Sequence, residues 1–174
     1  RGGGDRDAHR IHRRLTAGIR GGAAPALRGG VAKTPAAVNL AALAAGQGRR
    51  TLLWDLDPQG AATYCLDLRP KLRGGATKLL GGGRAGLVHV ARTSGIPNLE
   101  VVPADTSVRE VERVLSLSAK PHKLIRRLVQ GARSDVDVLV LDCPPGISQV
   151  VEAVATVADV LLVPVVPEPL PYRA

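Results

Sequence analysis

Aromatic residues are scarce in this sequence of 174 residues, which has no Phe, no Met, one Trp and two Tyr. Any core must therefore be filled by Ala, Val and Leu. The Arg-rich N-terminal stretch has no aromatic residue at all, so it offers no ring on which nucleic-acid bases could stack. Cysteine is limited to Cys65 and Cys143, in unlike contexts. That excludes a disulfide framework and a Cys-rich metal site, and it disfavours an iron–sulfur cluster. The four histidines, His9, His12, His89 and His122, show no metal-ligand spacing with a carboxylate or cysteine cluster and read as surface or loop residues. Apolar runs stay well short of the roughly 18 to 20 residues that span a bilayer, and the N-terminus has no signal-peptide core. The expectation is a soluble, cytoplasmic protein without a membrane partner.

What is present fits a single α/β domain: 45% hydrophobic residues and a formal charge of +9. The charge is uneven, because residues 1–30 hold seven Arg and two Asp. Residues 1–25 lack apolar periodicity and read as a disordered basic arm, with the folded domain over 26–174. Such an arm could touch nucleic acid or could be a solvated tail, and composition leaves both open.

Along the chain, Ala23-Ala24-Pro25-Ala26-Leu27 is the only candidate for a first strand, weakened by its proline. Pro35 to Ala45 reads as an Ala-rich helix closed by Gly46 and Gly48. Thr51 to Leu56 is a short apolar run typical of a buried parallel strand. Residues 66–97 read as a surface excursion with one short helix. Leu99 to Val102 forms a strand, and Ser107-Val108-Arg109-Glu110 spells a capping box for a helix through Leu117. Pro121 opens a further helix with Leu124, Ile125, Leu128 and Val129 on one face and Lys120, Lys123, Arg126 and Arg127 on the other. Val136 to Leu141 is a strand, Val150 to Ala158 a helix, and Val160 to Val166 the last strand. This alternation predicts an α/β fold with a mostly parallel sheet covered by helices on both faces.

The chemistry centres on Arg28-Gly29-Gly30-Val31-Ala32-Lys33-Thr34. Two glycines let successive backbone N–H groups of Gly29, Gly30, Val31 and Ala32 turn toward an anion, and Lys33 adds a mobile positive charge. Thr34 supplies a hydroxyl for a magnesium ion at the start of a helix whose dipole favours phosphate. Three apolar strands then deliver polar or proline-rich ends: Trp54-Asp55-Leu56-Asp57-Pro58-Gln59-Gly60, Leu141-Asp142-Cys143-Pro144-Pro145-Gly146 and Val163-Pro164-Val165-Val166-Pro167-Glu168. Open α/β sheets place their ligands at such strand ends.

These four stretches, in this order, resemble the ParA/MinD family of deviant Walker A P-loop ATPases, over roughly residues 28 to 170. The runs Ala37-Val38-Asn39-Leu40-Ala41-Ala42-Leu43-Ala44 and Asp55 to Thr63 strengthen the resemblance. It implies a P-loop NTPase-type fold that is incomplete at its C-terminus, because family members continue well beyond the position of Ala174. It also implies ATP and Mg2+ as cofactors, a nucleotide-dependent homodimer, non-specific DNA and a ParB-like protein as partners, and a role in partition of DNA. Lys33 and the loop amides would hold the phosphates, and Thr34, Asp55 and Asp142 would lie at the metal. Asp57 would position the hydrolytic water, and Pro164, Pro167 and Glu168 would face the adenine. Cys143 is expected to be a small buried residue and not a nucleophile.

Three departures from the family pattern bear on activity. Arg28 stands where the family has a lysine that reaches across the dimer, so the charge survives without the compact ammonium. Ala32 stands at a position that is usually Gly. Pro35 replaces a second Thr and removes both a hydroxyl and a backbone N–H. Two alternatives to an active ATPase therefore stay open: a non-hydrolysing remnant of the fold, and a basic DNA-binding module that works without nucleotide.

Overall fold

The computed structural model describes the backbone of residues 13–17 and, in full, residues 32–81, 86–146 and 148–164. Six strands form one sheet: β1 (Arg13–Ala17), β2 (Thr51–Asp55), β3 (Arg92–Thr93), β4 (Leu99–Val102), β5 (Val138–Asp142) and β6 (Val160–Leu162), in the order β3-β4-β2-β5-β1-β6. All neighbours are parallel except the edge pair β3–β4. The helices are α1 (Lys33–Gly46), α2 (Ala61–Cys65), α3 (Gly75–Gly81), α4 (Gly86–Val90), α5 (Val108–Leu117), α6 (Pro121–Gly131) and α7 (Gln149–Ala155).

Strand β1 corrects, over residues 13–17 alone, the reading of residues 1–25 as a disordered arm; the rest of that stretch lies outside the described residues. Arg13–Ala17 is an interior strand, paired from Arg13↔Val138 to Ala17↔Asp142 on one side and from Leu15↔Val160 to Ala17↔Leu162 on the other. Its sequence, Arg-Arg-Leu-Thr-Ala, lacks the apolar run that marks a buried strand, so periodicity does not reveal it. The stretch 23–27, read as the first strand, lies outside the described residues.

The sheet is covered on both faces, and strand alternation decides which residues meet which layer. On one face Leu53, Leu99, Val101 and Val140 pack against Ala37, Ala41 and Ala45 of α1 and Ala62 of α2. Alanines at i, i+4 and i+8 form a stripe without bulk, which lets α1 lie close on the strands. On the other face Leu52, Trp54, Leu139 and Leu141 join Leu79, Leu87, Leu115, Ile125, Leu128 and Val154 from α3 to α7. The single Trp is thus spent in the core, at 1% exposure.

Several local expectations change. The excursion at 66–97 holds two short helices, α3 and α4, and the edge strand β3. The capping box at α5 does not form: Ser107 is itself helical, at φ −73° and ψ −12°, with no capping bond from its side chain. Its hydroxyl donates instead to Asp105, which also accepts from the Ser107 N–H at 2.8 Å and the Leu72 N–H at 2.7 Å. Glu110 pairs with Arg113 at 2.7 Å. Helix α1 ends as read, with Gly48 at φ +77° beyond its last turn. Among the described residues no helix is long and apolar enough to cross a membrane.

Because β1 runs between β5 and β6 with both of its edges in use, Thr16→Pro is expected to remove a ladder donor and leave a carbonyl unpaired. The predicted cost is roughly 1 to 3 kcal/mol, read as a fall in the urea midpoint. An unchanged midpoint would contradict the placement of residues 13–17 in the sheet.

Candidate functional site

The strand order reverses direction at the β5–β1 pair. From β1 the chain crosses by α1 to β2 on one side of β5, whereas from β5 it crosses by α7 to β6 on the far side of β1. The two crossover helices lie on opposite faces, so a crevice opens at the C-terminal ends of β1 and β5. Asp142 ends β5 there, in register with Asp55 at the end of β2 and Ala17 at the end of β1. Asp55 and Asp142 share strand parity with Leu53 and Val140, so both carboxylates face the α1 side of the sheet.

Helix α1 begins at this crevice. Its first intrahelical bond runs from the Ala36 N–H to the Ala32 carbonyl at 3.0 Å. The N–H groups of Lys33 and Thr34 precede that bond and have no partner within the helix, as at any helix N-terminus. Pro35, the third helical residue, has no N–H to offer. Proline is well tolerated by the helix in this turn, yet an anion loses one donor there. Ala32 caps the helix in the left-handed region, at φ +58° and ψ 26°, a conformation that suits glycine and strains alanine by about 1 kcal/mol. Lys33 is 7% exposed and Thr34 half-buried.

The three carboxylates differ sharply in how they are satisfied. Asp55 is fully engaged: its Oδ2 accepts from the Thr63 N–H at 2.8 Å and the Thr63 hydroxyl at 2.7 Å, and its Oδ1 from the Asp57 N–H at 3.2 Å. Burial raises its pKa, and these donors pull it partway back. Thr63 in turn accepts from the Ala104 N–H at 2.9 Å, tying β2, α2 and the end of β4 into one clamp. Sequence reading assigns Thr63 no role, because its bond to a carboxylate eight residues away needs the turn at Gly60, φ +66°, to bring it back. Asp57 is half-buried, and its Oδ1 accepts from the Gln59 N–H at 2.9 Å.

Asp142 is the exception. It is 0% exposed, and among the described residues neither carboxylate oxygen has a hydrogen-bond partner of normal geometry. Burial raises its pKa to about 6, and the Thr34 hydroxyl lowers it. The charges of Asp55 and Asp57 raise it further and that of Lys33 lowers it. A buried carboxylate with no donor is costly. A cation, or water held by one, would supply what is missing. Among the described residues no three His, Cys, Asp or Glu side chains form a metal cluster. Magnesium keeps several waters and takes one or two protein ligands beside phosphate oxygens, and a carboxylate with a hydroxyl, as at Asp142 and Thr34, is a donor set that fits it.

Of the other sequence-predicted residues, Arg28, Gly29, Gly30, Val31, Pro167 and Glu168 lie outside the described residues. Pro164 follows β6 and is half-buried. Cys143 is buried, and its thiol is pushed up to about 12, chiefly by burial, in keeping with a packing residue. A separate cavity of about 510 Å³, lined by Arg50, Thr93, Asn98 and Glu100 among others, sits at the opposite edge, by the N-terminal ends of β2 and β4.

Fold and site together define an α/β domain of the P-loop NTPase type, with a helix N-terminus, a lysine and a strand-end aspartate converging at the topological switch point. A family model described as an AAA domain matches residues 23–173. The sporulation initiation inhibitor protein Soj of Bacillus subtilis is 30% identical over 140 residues, 79% of this chain and 54% of that protein. The chromosome partitioning protein ParA of Caulobacter vibrioides is 32% identical over 139 residues, 79% of this chain and 52% of its own length. A crystal structure of cobyrinic acid a,c-diamide synthase from Mycobacterium smegmatis with bound ADP and magnesium superposes with a TM-score of 0.76 at 30% identity. It covers 94% of this chain and 63% of that one. The chain belongs to the ParA/MinD family of P-loop proteins, and it spans about half the length of the curated relatives it matches.

The raised pKa of Asp142 has a definite sign. Its folded value of about 6 exceeds the ordinary 3.8, so its contribution to stability is complete below pH 3.8 and is lost as pH rises through 6. Asp142→Asn, without nucleotide or metal, is therefore expected to match the parent near pH 4 and to exceed it at pH 7.5 by about 1 to 3 kcal/mol. Urea denaturation at the two pH values tests this. A variant no more stable than the parent at pH 7.5 would contradict it.

Proposed function

We propose that this chain is the nucleotide-binding part of a ParA-like partition ATPase that binds ATP with magnesium and hydrolyses it. The observation that carries this reading is the buried Asp142 carboxylate, without a bond of normal geometry among the described residues and within the influence of the Thr34 hydroxyl and Lys33, beside a helix N-terminus. Lys33 and the loop 28–34 would neutralise phosphate charge, and Thr34 with Asp142 would hold magnesium. When bound, the ion would supply positive charge between the phosphate oxygens. Asp57 is the residue suited to orient a water: it is half-buried, one of its oxygens is held by Gln59, and the other is uncommitted among the described residues. Asp55, saturated by Thr63 and Asp57, would act from beside the metal by fixing the 57–63 turn. Pro164, Pro167 and Glu168 would border the adenine. A cytoplasmic setting, nucleotide-dependent homodimerisation and partners among non-specific DNA and a ParB-like protein complete the reading.

A second reading is favoured by Pro35, whose missing N–H falls in the turn that faces phosphate. In it the fold binds nucleotide weakly and does not turn it over. Losing one hydrogen bond to a charged group would weaken binding by roughly 1.5 to 3 kcal/mol, about ten- to a hundredfold.

Magnesium-dependent release of phosphate from ATP separates the two. The ATPase reading predicts turnover that falls at least roughly a hundredfold in Lys33→Ala and in Asp57→Ala and rises in the Arg28→Lys, Pro35→Thr double variant. No turnover in the parent with recovery in the double variant would establish the remnant. Turnover insensitive to Lys33→Ala would sink both.

A further inference from the structure

Glu100 places a charge at a core-facing position of the sheet. Strand alternation and the pairing Leu52↔Glu100 put its side chain on the side that carries Leu52, Trp54 and the helices α3 to α7. It is half-buried, and among the described residues no hydrogen bond or ion pair holds its carboxylate. Glu100 lines the cavity of about 510 Å³ at the N-terminal ends of β2 and β4, together with Thr93, Ile96, Pro97 and Val136. The cation in that lining is committed elsewhere. Arg50 has all three guanidinium nitrogens bonded: Nε at 3.3 Å and Nη2 at 2.8 Å donate to Asp137, and Nη1 at 3.3 Å donates to the Ser134 carbonyl. Arg92 pairs with Val101 across the ladder, so it lies on the other face of the sheet. Asp135 adds a second carboxylate to the lining, and one of its oxygens accepts from the Ser134 hydroxyl at 2.9 Å. In a chain of net charge +9, the uncompensated charge of this cavity is negative.

We propose that this cavity binds a small organic cation, an alkylammonium or alkylguanidinium, with its positive head on Glu100 and its apolar body against Ile96, Pro97 and Val136. The volume is that of an ordinary small-molecule site, and apolar walls with few polar groups to orient the guest are the usual make-up of one. A carboxylate taken partly out of water gains from a charge-assisted bond, and a cationic donor supplies it. An anion is opposed by both Glu100 and Asp135. A neutral guest leaves Glu100 without its counter-charge. The cavity is separate from the phosphate end of the sheet: Thr51 at the cavity and Asp55 beside Asp142 are the two ends of β2, about 13 Å apart at 3.3 Å per residue. The inference therefore goes beyond the ATPase reading and stands even where that reading fails.

The test titrates the whole chain, in EDTA without nucleotide, with pentylamine and pentylguanidine, followed by saturation-transfer NMR of the ligand signals. Pentanol and pentanoate are the controls of equal length. Both cations are expected to bind at millimolar concentration or below, and both controls roughly tenfold or more weakly. Glu100→Gln keeps the shape of the side chain and is expected to weaken binding of the cations by roughly tenfold or more, with circular dichroism and urea midpoint no worse than the parent's. Thr93→Lys gives a second arm: position 93 is exposed and pairs with Glu100 across the ladder, so its ammonium would take the carboxylate and is expected to abolish binding. Lys33→Ala is expected to bind as the parent does. A capped Ala-Lys-Ala peptide is expected to bind more weakly than pentylamine; a peptide that binds more tightly would overturn the small-molecule assignment in favour of a lysine on another protein. The proposal is equally overturned if neither cation binds at millimolar concentration, if pentanol matches pentylamine, or if Glu100→Gln and Thr93→Lys, both folded, bind the cations as the parent does.

Discussion

The structure turns on a carboxylate buried, among the described residues, without a hydrogen bond of normal geometry. Asp142 ends β5 in register with Asp55, two negative groups on adjacent strands and on one face of the sheet. Asp55 is reconciled to burial by Thr63 and Asp57, whereas among the described residues Asp142 accepts no bond of normal geometry and is eased only by the Thr34 hydroxyl and the charge of Lys33. Two such groups at neighbouring strand ends raise each other's cost, and a fold selected only for stability would place Asn or Leu at position 142. Such a pair suits a site that would hold a positive ion between a carboxylate and a hydroxyl, and the Thr34 hydroxyl acts on Asp142.

The rest of the fold serves that juxtaposition. Parallel pairing across β2, β5 and β1 brings three strand ends level, and the reversal of strand order opens space above them. The alanine stripe of α1 lets its N-terminus come close to those ends, which a helix of larger side chains would not allow. The clamp of Asp55, Thr63 and Ala104 fixes the turn that carries Asp57. Stability elsewhere comes from aliphatic packing on the opposite face, around the one buried Trp.

Much of this was legible in the sequence. The strands at β2, β4 and β5 and the helices α1, α5 and α6 follow from apolar periodicity and from glycine and proline punctuation. Lys33, Thr34, Asp55, Asp57 and Asp142 stand out because each follows or opens an apolar element. Strand β1 was not legible, because Arg13-Arg14-Leu15-Thr16-Ala17 has one large apolar residue and is held by ladders on both sides rather than by its own pattern. The role of Ser107 was misread for a related reason: Ser-x-x-Glu spacing says nothing of Asp105, which competes for the same hydroxyl. The contrast between a saturated Asp55 and an unsatisfied Asp142 depends on Thr63, a partner that only the folded turn supplies.

Equilibrium binding of ATP to this chain and to Asp142→Asn, each in magnesium and in EDTA, tests the central claim most directly. If the buried carboxylate is kept for the ion, magnesium will tighten binding to the parent by roughly tenfold or more and leave the variant nearly unchanged. If the variant gains as much from magnesium as the parent does, Asp142 does not hold the metal and the account of the site fails.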